Sequence, residues 1–176
     1  DEMNDRQAER VFKDEIEIPE NVGAVVVGYD IYINYLKILK AFRFLRNRDC
    51  LYVITDPGET AVSSSSSRAQ LPGTGALAAS ITVASGRTPF ILGKPSTYLV
   101  EILKTMTNNP QRALFVGDNW KTDIVTGHRC SFRTVLVLTG VHNLNDVKRY
   151  SRSKNAEEHM NVPDFYANAF SDLILN

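Results

Sequence analysis

The stretch LFVGDNWKTDI, residues 114–124, decides the fold class of this protein. Its first residues are apolar, as in a buried strand, Gly117 and Asp118 follow as a turn, and a helical pattern begins near Thr122. The same order of strand, turn and helix recurs on both sides of this stretch. Strands that alternate with helices in this way predict an α/β fold with a parallel sheet.

Composition restricts the classes of function. The 176 residues include 20 Lys and Arg and 20 Asp and Glu, so the formal net charge is zero. Because basic surfaces dominate nucleic-acid affinity, we expect no nucleic-acid partner. No apolar run approaches the roughly 20 residues that span a bilayer, so we expect no membrane partner. Cys50 and Cys130 form neither a disulfide framework nor a metal-ligand pair, which, without a targeting signature, predicts a cytoplasmic location.

Apolar runs and turn residues mark the other elements. Predicted strands cover residues 22–27, 51–54, 90–92, 113–116, 134–138 and 165–166. Predicted helices cover residues 31–46 with Asp30 as N-cap, 76–84, 96–107 and 143–150, and one more begins near residue 122. Five consecutive serines at 63–67 indicate an exposed loop, with a phosphorylation site as the weaker alternative.

Lys94 is the first candidate site residue. It follows a predicted strand and precedes a helix for which Ser96 can act as N-cap. Ligands bind at the carboxyl ends of strands in open parallel sheets, and a helix N-terminus favours anions. A solvated loop lysine is the alternative. A nucleotide-binding P-loop is excluded, because Thr88 and Pro95 stand where that motif needs glycine and serine or threonine.

Asp118 and Asp123 form the second candidate site. Asp118 directly follows a predicted strand and Asp123 lies in the first turn of the next helix, so both carboxylates belong to the same end of the sheet. Mg²⁺ usually binds one or two carboxylates together with water and substrate phosphate. The alternative splits the pair into a turn former and a residue that complements the helix dipole.

The remaining polar residues carry weaker signals. A tight turn explains Thr139 and Gly140 after the strand at 134–138. His128 and His142 have no partner at metal-ligand spacing, so both are predicted to be surface residues. Asp164 precedes the last strand and is predicted to be structural.

Several motifs together resemble the haloacid dehalogenase-like superfamily. They are GKPS at 93–96, LFVGDNWKTDI at 114–124 and TVLVLTGV at 134–141. Three more segments resemble one branch of this superfamily, which contains 4-nitrophenylphosphatases, phosphoglycolate phosphatases and pyridoxal phosphate phosphatases. These segments are VGAVVVGYD at 22–30, LPGTG at 71–75 and VPDFY at 162–166, and they occur in the order typical of the branch. The resemblance covers nearly the whole chain.

The resemblance implies a phosphatase mechanism and a role for four residues. Family members transfer a phosphoryl group to an aspartate and hydrolyse the aspartyl phosphate with a second aspartate as acid/base. By resemblance, Lys94 is a catalytic residue that binds the substrate phosphate and orients the nucleophile. Asp118 binds Mg²⁺ directly, while Asp123 is a catalytic and metal-site residue that holds the water ligands of the ion. Asn119 is implied in substrate binding.

One part of the family pattern is missing. The nucleophile and the acid/base residue belong to an Asp-x-Asp-Gly-Thr-like motif, and these 176 residues contain no Asp-x-Asp followed by Gly. We therefore expect a fragment of a longer protein, or a chain completed by another segment, with an exposed strand edge at 113–116 and no activity alone. The family's Thr-Asn-x-Asp loop is replaced here by residues 55–58, Thr-Asp-Pro-Gly, so the choice of substrate is not predicted.

The resemblance also divides the chain into three segments. Residues 1–20 form a connecting segment, 21–88 an α/β cap domain, and 89–176 the C-terminal half of the Rossmann-like phosphatase core. The expected function is a Mg²⁺-dependent phosphomonoesterase that acts on a small phosphorylated metabolite, with a homodimer formed through the cap. A non-catalytic binding or dimerisation module derived from the same family is the alternative.

Overall fold

A computed structural model describes residue 10 and residues 21–62, 70–152 and 156–174. The connecting segment at 1–20, apart from residue 10, and the serine run lie outside the described residues. The described chain divides into two compact units, which meet in the sequence between Gly93 and Lys94. Each unit contains a three-stranded parallel sheet. The predicted α/β fold with parallel sheets is therefore confirmed. Within the described residues, no helix has both the length and the apolar character needed to cross a membrane.

The first unit has the strand order β1-β2-β5. Its elements are β1 (Ala24–Val27), α1 (Tyr35–Leu45), β2 (Leu51–Ile54), β3 (Thr60–Val62), β4 (Gln70–Pro72), α2 (Thr74–Ser85) and β5 (Phe90–Ile91). β3 and β4 pair in a separate two-stranded sheet.

One face of the β1-β2-β5 sheet forms the core of the first unit. Residues that alternate along β1 and β2 are buried with residues of α1 and α2, and they include Val25, Val27, Tyr52, Ile54, Leu45, Ala78 and Ile81. The opposite face is apolar but open, since Val26 is 61% exposed and Leu51 is 63% exposed. Parallel sheets are usually covered on both faces, so this open face is unusual.

The first helix begins later than predicted. Asn34, not Asp30, is the N-cap, and its side chain accepts a hydrogen bond from the Lys37 N–H at 3.1 Å. Asp30 instead accepts from the Tyr32 N–H at 2.8 Å and from the Lys37 Nζ at 2.7 Å. The aspartate forms a local turn, which competes with its use as a helix cap.

The last strand of this unit also differs from expectation. Phe90 pairs with Val53 and Ile91 with Ile54, so β5 belongs to the first sheet, although the expected segment boundary at 88/89 assigned it to the second segment. The functional meaning of the three segments stays a prediction.

The second unit has the strand order β6-β7-β8. Its elements are α3 (Thr97–Thr105), β6 (Leu114–Gly117), α4 (Val125–Arg129), β7 (Arg133–Val137), α5 (Leu144–Ser151), α6 (Ala156–His159) and β8 (Phe165–Ala167), with short 3₁₀ turns at Pro110–Arg112 and Phe170–Leu173. Ser96 is the N-cap of α3, as predicted. Among the described residues β6 pairs only with β7, so its other edge is open there.

The segment after β6 does not start as an α-helix. Trp120–Ile124 forms a π-helical turn, which continues into α4. Trp120 and Ile124 are buried together with Leu136 of β7, and these three residues form the core at this end of the sheet. Since Asp123 lies within the same turn, core packing fixes the backbone that carries this carboxylate.

Asp164 ties the beginning of β8 to β7. Its Oδ2 accepts hydrogen bonds from the Thr134 N–H at 2.8 Å and the Thr134 hydroxyl at 3.0 Å, and its Oδ1 lies 3.3 Å from Arg133 Nη1. Burial raises the pKa of Asp164, but the hydrogen bonds from Thr134 and Arg133 and the nearby His128 together hold this pKa below its ordinary value. These contacts confirm the predicted structural role.

We expect Asp164→Asn to lower the free energy of unfolding at neutral pH by about 1–3 kcal/mol, because the charged acceptor is lost. The native carboxylate has a lowered pKa, so its stabilisation is complete above the unfolded-state pKa and is lost as the pH falls through the folded-state pKa. Urea unfolding at pH 7 and at pH 2–4 should show that the wild type loses more stability on acidification than the variant does.

Glu101→Gln is the matched control for this prediction. Glu101 is an exposed carboxylate of α3 without a partner among the described residues. Its substitution should leave the unfolding free energy at pH 7 unchanged within about 0.5 kcal/mol. Equal stabilities of Asp164→Asn and Glu101→Gln would contradict the assigned role.

Candidate functional site

The side chains of Lys94 and Asp123 meet in the second unit. The Lys94 Nζ lies 2.7 Å from Asp123 Oδ1. The Asp123 side chain is 4% exposed, whereas that of Lys94 is 45% exposed. The pair therefore consists of a buried carboxylate and a lysine whose ammonium group can still reach a ligand.

The second oxygen of Asp123 is held by the backbone. Oδ2 accepts hydrogen bonds from the Asp118 N–H at 3.1 Å and from the Asn119 N–H at 3.0 Å. Gly117 makes this approach feasible, because a Cβ at that position would lie 2.3 Å from the Asp123 carboxylate carbon. The Asp123 carboxylate therefore requires glycine at position 117.

Asp118 is held by the loop that follows β7. Its Oδ2 accepts a hydrogen bond from the Val141 N–H at 3.0 Å, and its backbone carbonyl accepts one from the His142 N–H at 3.2 Å. A Cβ on Gly140 would lie 1.9 Å from Asp118 Oδ2. The turn at 139–140 is therefore part of the site, although turn propensity alone explained its residues in the sequence.

Asn119 stabilises the backbone of the site through hydrogen bonds. Its side-chain oxygen accepts a hydrogen bond from the Lys121 N–H at 3.0 Å and so caps the π-helical turn. Its N–H binds Asp123, as described above. The substrate-binding role of Asn119 stays a prediction.

The two histidines predicted to be surface residues are both partly exposed, but each also contacts the rest of the second unit. His128 lies next to α6 and β8, with its Nε2 at 2.8 Å from the Val162 carbonyl oxygen. His142 is partly buried against Trp120, with ring centroids 5.2 Å apart. Burial lowers the pKa of His142, which favours the neutral ring beside Asp118. Sequence spacing missed both contacts because they join residues far apart in the chain.

The donor set fits a divalent cation with oxygen ligands. Asp118 uses Oδ2 for Val141, and its Oδ1 has no partner among the described residues. Asp123 has two donors on Oδ2 and one on Oδ1, so it has less capacity left for a direct ligand. No group of three or more His, Cys, Asp or Glu side chains is arranged around a common metal position in the described part of the chain. The described residues therefore offer part of a coordination shell, which water and phosphate complete in typical Mg²⁺ sites.

Comparison with known proteins identifies the family of this chain. A family model described as HAD-hydrolase-like matches residues 91–173, which include Lys94, Asp118 and Asp123. The chain is 44% identical to chronophin from Bos taurus over 154 residues, which are 87% of this chain and 50% of that protein. This chain belongs to the haloacid dehalogenase-like hydrolase superfamily.

Further relatives agree with the predicted branch of this superfamily. The chain is 37% identical to glycerol-3-phosphate phosphatase from Homo sapiens, over 88% of this chain and 48% of that protein. The crystal structure of 4-nitrophenylphosphatase from Thermotoga maritima superimposes with a TM-score of 0.70 at 28% identity, covering 95% of this chain and 60% of that one. The chain spans about half the length of the curated relatives it matches. The predicted resemblance to this hydrolase branch is confirmed.

We expect Gly140→Ala to lower the free energy of unfolding by about 1–3 kcal/mol, because the new methyl group overlaps the carboxylate of Asp118. Gly23→Ala is the matched control, since a Cβ there meets nothing within 4 Å. Urea unfolding of both variants measures the difference. A Gly140→Ala variant as stable as Gly23→Ala would mean that the loop does not approach Asp118 this closely.

Proposed function

We propose that the protein is a Mg²⁺-dependent phosphomonoesterase that acts on a small phosphorylated metabolite through an aspartyl-phosphate intermediate. The observation that carries this proposal is the contact of 2.7 Å between Lys94 Nζ and Asp123 Oδ1, next to Asp118. It places one cation and two carboxylates at the carboxyl end of β6, where parallel sheets bind their ligands. The similarity to glycerol-3-phosphate phosphatase and 4-nitrophenylphosphatase supports a phosphate ester as substrate.

Lys94 is proposed to bind the substrate phosphate. Its ammonium group has three N–H donors, and Asp123 Oδ1 accepts one of them. The remaining donors lie on a side chain that is 45% exposed. Lys94 can therefore hold a phosphate oxygen without leaving Asp123, whose contact fixes the position of the positive charge.

Charge balance supports a divalent cation at this site. Lys94, Asp118 and Asp123 together carry a net charge of −1 when all are ionised, which repels a phosphate dianion. Asp118 Oδ1 is proposed to bind Mg²⁺ directly, while Asp123, whose oxygens are already engaged, is proposed to orient metal-bound water. The bound ion would neutralise charge on the transferred phosphoryl group and orient it.

The nucleophile is proposed to come from an Asp-x-Asp-Gly segment of the family type. No such motif occurs in these 176 residues, so we expect the chain alone to be inactive. In the complete site, Lys94 would orient the phosphate for attack by the nucleophilic carboxylate, whose oxygen would form the new bond to phosphorus while the second aspartate of the motif gives its proton to the leaving alcohol. The same aspartate would then take a proton from the water that attacks phosphorus, which would release inorganic phosphate and regenerate the nucleophile.

We expect the natural protein to hydrolyse 4-nitrophenyl phosphate only with Mg²⁺. Asp118→Asn should lower kcat/KM at least about 100-fold, because it removes the proposed direct ligand. Glu101→Gln, with an exposed carboxylate on α3, should retain the wild-type rate. The 176-residue chain should show no hydrolysis in the same assay.

Three results would argue against the proposed function. A wild-type rate for Asp118→Asn would remove Asp118 from the metal site. An unchanged rate in EDTA would remove the Mg²⁺ requirement. Hydrolysis by the 176-residue chain itself would show that the nucleophile lies within it.

The first unit is proposed to mediate a homodimer, as the cap of this family often does. The support is the open apolar face of its sheet, where Val26, Leu51 and Phe90 are 61%, 63% and 53% exposed. A second copy would cover this face, and the zero net charge of the chain does not oppose self-association. The cytoplasmic location stays a proposal, supported by the buried free thiols of Cys50 and Cys130.

Val26→Glu should convert such a dimer to a monomer, because it places a charge in the proposed apolar interface. Light scattering coupled to size-exclusion chromatography measures the mass, and circular dichroism checks the fold. Val83→Glu is the control, since Val83 is 82% exposed on α2 rather than on the open sheet face. If Val26→Glu forms a dimer as stable as that of the wild type, the interface lies elsewhere. If the wild type is monomeric, the proposed homodimer is excluded.

A further inference from the structure

We propose that His142, packed on Trp120, is a positioning residue that fixes the carboxylate of Asp118. The inference rests on the proposed function only for the identity of the ion that Asp118 binds. Its basis is the contact between two loops of the second unit, one after β6 and one after β7.

The backbone around His142 supplies two donors to Asp118. The Val141 N–H binds Asp118 Oδ2 at 3.0 Å, and the His142 N–H binds the Asp118 carbonyl oxygen at 3.2 Å. Together they hold the backbone carbonyl and one carboxylate oxygen of Asp118. The orientation of its other oxygen, Oδ1, therefore depends on where residues 141 and 142 lie.

The ring of His142 holds this loop in place through packing. It lies 5.2 Å from the Trp120 ring, centroid to centroid, at an interplanar angle of 55°. Trp120 is 9% exposed and also contacts Tyr150 of α5 at 4.4 Å. Tilted aromatic pairs at these distances are favourable, at about 0.5–1.5 kcal/mol each. Trp120 thus connects the loop to the core of the unit.

The contribution of His142 that the variants test is the packing of its ring on Trp120. Its Nδ1 is buried and has no hydrogen-bond partner among the described residues. An unpaired buried nitrogen does not stabilise the loop. Phenylalanine should therefore replace the histidine, whereas alanine should not.

The contact also couples the two carboxylates. Trp120 is the first residue of the π-helical turn that carries Asp123, and Val141 and His142 hold Asp118. The aromatic contact joins these two groups of residues, in addition to the hydrogen bond from the Asp118 N–H to Asp123 Oδ2.

The test compares His142→Ala, His142→Phe and Val147→Ala in the 176-residue chain. Val147 packs against the same core cluster, and within the described part of the chain it has no hydrogen bond or ring contact with the Asp118 loop, so its truncation is a control for lost stability. Amide hydrogen exchange of Val141 by NMR reports its hydrogen bond to Asp118 without any added ion. We expect about tenfold faster exchange in His142→Ala, and wild-type exchange in His142→Phe and Val147→Ala.

Mg²⁺ titration by calorimetry provides the second readout. His142→Ala should weaken the Kd for Mg²⁺ about tenfold, the range typical of groups that orient a ligand, and His142→Phe should restore it. Unchanged Val141 exchange in His142→Ala overturns the inference, as does equal acceleration in Val147→Ala. If exchange responds as expected while the wild-type chain does not bind Mg²⁺, the positioning role stands and the proposed metal role of Asp118 in this chain fails.

Discussion

The buried carboxylate of Asp123 is the group on which the candidate site depends. Its charge is compensated by Lys94 on one oxygen and by two backbone N–H groups on the other. A buried carboxylate without such partners would be strongly unfavourable, so the three donors are a condition of the local fold. They join Lys94, three residues before α3, to the π-helical turn that follows β6, across 29 residues of sequence. The stability of the local fold and the geometry of the candidate site therefore depend on the same contacts at this end of the sheet.

Asp118 has a different environment, and the difference separates the roles of the two carboxylates. The loop after β7 occupies one of its oxygens and leaves the other without a partner in the described part of the chain. Asp123 is held by more donors and is more deeply buried. The better-satisfied carboxylate is suited to orienting Lys94 and water, while the less-satisfied one is suited to direct binding of a cation. This division agrees with the roles that family resemblance implies.

The sequence predicts the parts of this arrangement that depend on local pattern. Apolar runs and turns located the parallel strands, and the rule that ligands bind at strand ends selected Lys94, Asp118 and Asp123. The sequence did not predict the hydrogen bond from the Val141 N–H to Asp118. Almost every residue has a backbone N–H, so no sequence motif marks the one that makes this bond. The pairing of β5 with β2 and the contact of His142 with Trp120 were also missed. Both depend on long-range packing, which periodicity within one segment does not report.

The environment of His142 shows how packing and electrostatics combine beside Asp118. Burial against Trp120 lowers the pKa of the imidazole and leaves Nδ1 without a partner among the described residues. Such a nitrogen is a local cost in stability, which the contacts of Trp120 with His142 and Tyr150 offset. A neutral ring adds no positive charge next to Asp118, so the carboxylate keeps its attraction for a cation. An aromatic side chain that packs without charge thus holds the loop and adds no positive charge beside Asp118.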